Sequence, residues 1–169
     1  MADKYIYNNS GNLAEKSGLV ESVGADDGGK IVALDTNGKL NESVMPVGIG
    51  ADVKSLPASE DLSAGNFVNI WSDEGTIKVR KADASSNKTA DGFVREAVTT
   101  GNNALVYLEG TNDELTGLTG GSFYFLSNSA AGAVMATAPT TSAHIVQKVG
   151  KALSATEISF EPSSPITLA

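Results

Sequence analysis

The stretch DGFVREAVTTGNNALVYLEGTNDELTGLTGGSFYFL, residues 91–126, constrains the fold more than any other part of the chain. It holds short apolar runs at residues 93–98, 104–108 and 123–126, parted by glycine-bearing turns at 99–103 and 110–121. Each run is too short for a free-standing helix and rich in the β-branched and aromatic residues that suit a pleated surface. The turns supply Gly, Asn, Asp and Thr, which tolerate positive φ or bond their own backbone. The pattern predicts a β-meander with Phe93, Val106, Tyr107, Phe123 and Phe125 as core.

The same grammar continues on both sides. Residues 67–71 are an apolar run, 72–75 a turn, and 76–81 a strand with Ile77 and Val79 on one face and Lys78 and Arg80 on the other. A polar loop at 83–90 precedes the meander, and a loop of small residues at 127–142 follows it. In residues 145–153, Ile145, Val146, Val149, Ala152 and Leu153 also match helical spacing, but Gly150 and the β-branched residues favour a strand. Thr156, Ile158 and Phe160 then share one face of a strand that Pro162 stops. About seven to nine strands at this spacing suit a sandwich or barrel. The expected architecture is all-β: an antiparallel β-sandwich or barrel, a jelly-roll-like knob over residues 53–169, preceded by an extended N-terminal arm over residues 1–52.

Within that arm, residues 4–7 can pair as an edge strand, and residues 12–20 can make a helical turn or two around Leu13, Leu19 and Val20. Gly11, Gly18, Gly24, Gly28 and Gly29 interrupt anything longer. Asn37-Gly38 predicts a small hairpin, because a type I′ turn needs φ > 0 at both central residues. Beyond it, Val44, Met45, Val47 and Ile49 are punctuated by Pro46, Gly48 and Gly50. Such a segment runs extended along another surface, and we take Val44, Met45, Pro46, Val47 and Ile49 as candidate partner contacts.

Composition narrows the function classes. The chain of 169 residues has no Cys, which excludes disulfides, thiolate metal sites and a cysteine nucleophile. Its 20 acidic and 12 basic residues leave a net charge of −8, which argues against direct nucleic-acid binding. The opening MADKYIYNNS has no basic stretch followed by an apolar one, so no secretory leader is expected, and no run approaches the ~20 apolar residues of a membrane span.

The sequence carries no catalytic signature. His144 is the only histidine, and no G-x-S-x-G elbow occurs. Gly24 to Lys30 has the spacing of a phosphate-binding loop, but Ile31 stands where the magnesium-binding hydroxyl belongs, and Asp26 and Asp27 would repel phosphate. The paired acids Asp26/Asp27, Glu60/Asp61, Asp73/Glu74 and Asp113/Glu114 could serve glycoside cleavage only in an aromatic-walled cleft, adjacent acids in turns being more often solvated or loosely bound to Ca²⁺, and the run from Asp35 to Gly38 leaves the calcium-loop pattern after its first residues. We expect no catalytic residues, no metal and no cofactor. Lys78, Arg80, Lys81, Lys88 and Arg95 form a local basic cluster, and Lys78 and Arg80 are candidate contacts for an acidic partner surface.

The run GGKIVALDTNGKLNESVMPVGIGAD, residues 28–52, resembles a segment common in structural proteins of tailed bacteriophages. ADGFV, G-x-x-A-x-V-Y, LTGLTGGSFYFLS and APTTSAHIVQKVGKALSATEISFEPSSPI are similar to the C-terminal part of those proteins, so the resemblance covers most of the chain from Lys30 onward. It implies a non-enzymatic virion protein of the capsid decoration, or cement, type. Such a protein is made in the host bacterial cytoplasm and binds the major capsid protein on the outer shell, commonly as a homotrimer. The alternative within the same group is a tail or head fibre module that recognises host glycans. That reading needs exposed aromatics, for which Trp71, Tyr107 and Tyr124 are the candidates.

Overall fold

A computed structural model of the chain describes residues 4–45 and 52–169. The chain divides into two compact units, Met1–Gly50 and Ala51–Ala169.

In the first unit, strands β1 (Lys4–Asn9) and β2 (Asn12–Ser17) pair antiparallel from Lys4↔Ser17 to Asn9↔Asn12. The two-residue turn has φ of 52° at Ser10 and 94° at Gly11, the double left-handed geometry that matches strand twist. Residues 12–17 are therefore strand, which corrects the helical alternative. A helix this short between Gly11 and Gly18 cannot offset its nucleation cost, whereas the tight turn delivers a ready partner strand. The turn at Asn37-Gly38 does form, with φ 74° at Gly38, but Asn37 is not left-handed and no strand ladder flanks it. Asp35 is the reason. Its Oδ1 accepts the N–H groups of Asn37 and Lys39 at 2.8 and 2.9 Å, which closes the turn without a primed geometry.

The second unit is built from two antiparallel sheets. The first comprises β3 (Val53–Pro57), β4 (Phe67–Asp73), β5 (Thr76–Lys81), β6 (Gly92–Val94) and β7 (Asn103–Tyr107), in the order β3-β7-β6-β4-β5. The second comprises β8 (Gly110–Asn112), β9 (Phe123–Leu126), β10 (Val134–Met135), β12 (Lys148–Ala152) and β13 (Ile158–Phe160), in the order β10-β9-β12-β13-β8. Between β10 and β12 in sequence lies β11 (Ile145–Val146), which pairs separately with the last strand, β14 (Ile166–Thr167). The fold class is all-β, and the two five-stranded sheets form a β-sandwich.

Residues 91–126 are not a meander. They place β6 and β7 in one sheet and β8 and β9 in the other, and β8 and β9 are not neighbours. The strand total of fourteen among the described residues also exceeds the expectation, because several strands are only two or three residues long and leave no apolar run in the sequence.

What joins the sheets is aromatic. Phe67 on β4 and Phe93 on β6 lie 5.8 and 5.7 Å from Phe160 on β13, and 6.3 Å from each other. Leu126, Val149 and Ile145 complete this buried cluster, and Tyr107 stacks on Phe93 at 5.4 Å. Burying each such ring contributes about 2–3 kcal/mol. On its other face the first sheet buries Leu56, Leu62, Val68, Val79, Val94, Ala104 and Val106. Ser59 donates its N–H to the Val79 carbonyl at 2.8 Å, and Ala58 bridges Val79 in parallel, so the sheet curls around this second cluster. A third cluster, of Tyr124, Ala152 and Ile158, is capped by Leu115 and Leu118.

Parity in β9 corrects the expected core. Tyr124 and Leu126 point inward, while Phe123 is 53% exposed and Phe125 half-buried. Side chains alternate across a strand, and the run FYFL can bury only one of its two aromatic sets.

Candidate interaction surfaces

Lys78 and Arg80 sit on β5 opposite Trp71 and Asn69 of β4, on the sheet face that carries Phe67 deeper in. Both are already engaged. The Lys78 ammonium pairs with the Asp73 carboxylate at 2.7 Å. The Arg80 guanidinium lies 4.4 Å from the Trp71 ring centre, and its Nε–H donates to Asn69 Oδ1 at 3.0 Å. Asn69 Nδ2–H in turn donates to Asp91 Oδ2 at 2.9 Å, and the same oxygen accepts the Ile70 N–H at 2.8 Å. Arg95 pairs with Asp113 at 2.6 Å. Lys78, Arg80 and Arg95 therefore act as local ties, and an acidic partner would have to compete with them.

Val44 and Met45 are half-buried in the first unit, beside an open groove of about 410 Å³ that Leu19, Lys30 and Val32 also line. Val44 belongs to a short 3₁₀ turn, Glu42–Val44, and Ser43 Oγ accepts the Ser22 N–H at 2.8 Å. Pro46, Val47 and Ile49 lie outside the described residues. Next to the groove the Asp27 carboxylate is buried, pairs with Lys30 and accepts the Val23 N–H at 2.7 Å. Lys30 first, and then the Val23 N–H, hold its pKa below the ordinary aspartate range against the opposing effect of desolvation. The lysine of the phosphate-loop-like run thus faces a carboxylate, consistent with a chance match.

The first unit is unusual for the apolar side chains it leaves uncovered. Ile6, Leu13 and Val23 are 69, 81 and 88% exposed, and Ile31, Leu34 and Leu40 are also exposed. Ile6 and Leu13 lie on one face of the β1–β2 hairpin, since Ile6 pairs with Glu15 and Leu13 with Asn8.

Of the aromatics considered for sugar stacking, Tyr124 is buried, its hydroxyl accepting the Thr119 N–H at 2.9 Å. Tyr107 has Phe93 stacked on it and Arg95 at 5.7 Å, and Trp71 carries Arg80. His144 lies half-buried with Nδ1 3.1 Å from Asn128 Nδ2. Among the described residues no three His, Asp or Glu side chains converge as metal ligands do.

One cluster joins residues that no local sequence pattern brings together. On the outer face of the second sheet, Lys148 and Lys151 of β12 place their ammonium groups 5.3 and 5.7 Å from the ring centre of exposed Phe123. In a regular strand, residues three apart face opposite ways. Here the register of β12 against β9 shifts between Lys148↔Phe125 and Gly150↔Tyr124, and this bulge turns both lysines outward. Gly150 permits it. A Cβ there would fall on the Ser159 carbonyl oxygen and within 2.8 Å of Ile158 Cγ2. The one available signal was an isolated glycine inside a strand pattern, which marks bulges and close approaches.

Comparison with protein-family models, with curated proteins and with solved structures finds no match to this chain.

Proposed function

We propose that this chain is a structural protein of a bacteriophage particle, a decoration protein that binds the outer capsid surface and stabilises the shell. The observation that carries the proposal is the contrast between its two units. The β-sandwich buries a continuous core around Phe67, Phe93 and Phe160 and leaves Ile77, Leu105, Phe123, Leu153 and Ile166 exposed over its much longer chain. The first unit instead presents Ile6, Leu13, Val23, Ile31, Leu34 and Leu40 to solvent. Apolar groups exposed in this way gain free energy, at about 25 cal/mol per Å² covered, only when another surface removes them from water. A two-stranded hairpin is also marginal alone, and among the described residues nothing pairs with the outer edges of β1 and β2. Both features suit a segment that is completed by assembly. The phage-like motifs from Lys30 onward supply the context, a capsid lattice with the major capsid protein as partner. Self-association as a trimer would cover further sheet edges.

The test is reconstitution. Purified protein is added to capsids that lack it, and occupancy and resistance to heat and EDTA are measured. Saturable occupancy with a more resistant shell is expected. Absence of occupancy, or occupancy that leaves the shell no more resistant, overturns the reading. Light scattering on the free protein decides the trimer separately.

A further inference from the structure

The outer face of β9 and β12 is the strongest unexplained surface on the molecule. Its register places Phe123 opposite Lys151 and Phe125 opposite Lys148, with Met135 of β10 next to Phe125 and Ser159 of β13 next to Lys151. In a chain of net charge −8, two lysines on one face would ordinarily be neutralised by nearby acids. Neither is. Among the described residues the ion pairs are Lys4–Glu15, Lys30–Asp27, Lys78–Asp73 and Arg95–Asp113. Glu157 and Glu161 flank β13 on the face of Ser159, and Glu161 accepts the Ser159 hydroxyl at 3.2 Å, but neither carboxylate forms an ion pair with Lys148 or Lys151.

The arrangement is also specifically built. Only the bulge at residues 148–150 aligns the two ammonium groups over one ring, and only glycine at 150 allows β13 to close on it. An exposed phenyl ring beside two cations that stand outside the ion pairs of the described residues matches a surface that offers carboxylates around an apolar side chain. The ring takes apolar contact while the ammonium groups, oriented by their cation–π contacts, take the carboxylates.

We propose that Phe123, Lys148 and Lys151 form a docking face for an acidic protein partner, one presenting carboxylates next to an exposed apolar residue. The proposal rests on the assembly reading only for the partner's identity, not for its chemistry.

Two measurements test it. In the first, the isotope-labelled protein is titrated with a synthetic peptide of alternating Glu and Leu, and with its Lys/Leu and Gln/Leu counterparts. Amide shifts confined to β9 and β12, seen with the Glu peptide alone and removed by high salt, are expected. In K148E/K151E, whose thermal midpoint should match the parent because both side chains reach solvent, the apparent affinity should fall by roughly tenfold. Equal shifts with all three peptides, shifts elsewhere, or none at millimolar peptide overturn the proposal. In the second, parent protein that decorates capsids is compared with K148E/K151E and with F123S. Unchanged occupancy for both variants overturns the docking face while leaving the decoration reading standing. Failure of the parent itself to decorate removes only that reading, and the peptide titration still decides the face.

Discussion

Replacing Gln147 by glutamate tests how the two sheets are tied together through a buried side chain. Gln147 lies between β11 and β12 and is 3% exposed. Its Oε1 accepts the Ala90 N–H at 2.7 Å and its Nε2–H donates to the Ala90 carbonyl at 3.1 Å, so one amide side chain imitates a rung of a β-ladder. A protonated glutamate is nearly isosteric and can keep both bonds. An ionised one cannot, because it would face the Ala90 carbonyl with a second acceptor inside an apolar setting. Burial without a cation raises a glutamate pKa, and a shift of about 3 units from the unfolded value near 4.3 corresponds to about 4 kcal/mol. The sign follows from that rise. Below about pH 4.3 both states are protonated and the variant approaches the parent. Between that value and the raised folded pKa the unfolded state ionises first, so stability is lost progressively as pH rises.

Urea denaturation followed by fluorescence of the single tryptophan, Trp71, measures this against the parent at each pH. The expected loss is about 1 kcal/mol near pH 5 and about 4 kcal/mol near pH 8, a large part of the ~5–15 kcal/mol typical of a domain. Q147M is the companion variant. It leaves the Ala90 N–H and C=O unpaired and should lose about 2–4 kcal/mol at every pH. A Q147E loss that is small at pH ~8, or equal at both pH values, would mean that water reaches this site and that the buried rung is wrong.

Further outcomes follow from other contacts. Phe160→Ala removes the ring against which Phe67 and Phe93 both pack, and should cost about 3–5 kcal/mol by the same urea assay. Gly150→Ala forces β12 away from β13 and should cost at least about 1–3 kcal/mol, with enhanced hydrogen exchange at Ser159 and Phe160. The Asp61 carboxylate is held below its usual pKa by the Thr100 N–H and then by the Thr100 hydroxyl. Asp83 is also low, although burial pulls it upward, because the hydroxyl groups of Ser86 and Ser85 and the Ser85 N–H prevail. A lowered folded pKa contributes stability that is complete above the unfolded value of about 3.9 and lost as pH falls through the folded one. Acid titration of the parent should therefore show destabilisation beginning below about pH 4, and Asp61→Asn should flatten that slope.

Several elements were legible locally. The strands at Phe67–Asp73 and Thr76–Lys81, and the inward set Ile158 and Phe160, follow from apolar runs, alternation and turn residues, all of which act over a few neighbours. The same local evidence favoured strand over helix at Lys148–Ala152, where Gly150 and β-branching prevailed over helical spacing. The hairpin at Asn37-Gly38 failed because a side chain two residues away, Asp35, took over the turn's N–H groups. The tight left-handed turns fell instead at Ser10-Gly11 and Glu74-Gly75, where the flanking strands impose their twist on a residue that does not favour it. For Phe123 and Phe125, composition says that a phenyl ring is apolar but not which face of its strand is covered, so the expected core and the observed one differ there.

Sequence alone determined that this chain would be all-β, rich in turns, acidic and independent of disulfides, because strand propensity, glycine placement and charge are carried by each residue. Tertiary structure decided which strands meet, that residues 91–126 pass from one sheet to the other, and which cations are already paired. It also decided that Lys148 and Lys151 share a face. Pairing, burial and a one-residue bulge depend on partners far away in the chain, and no local window contains them.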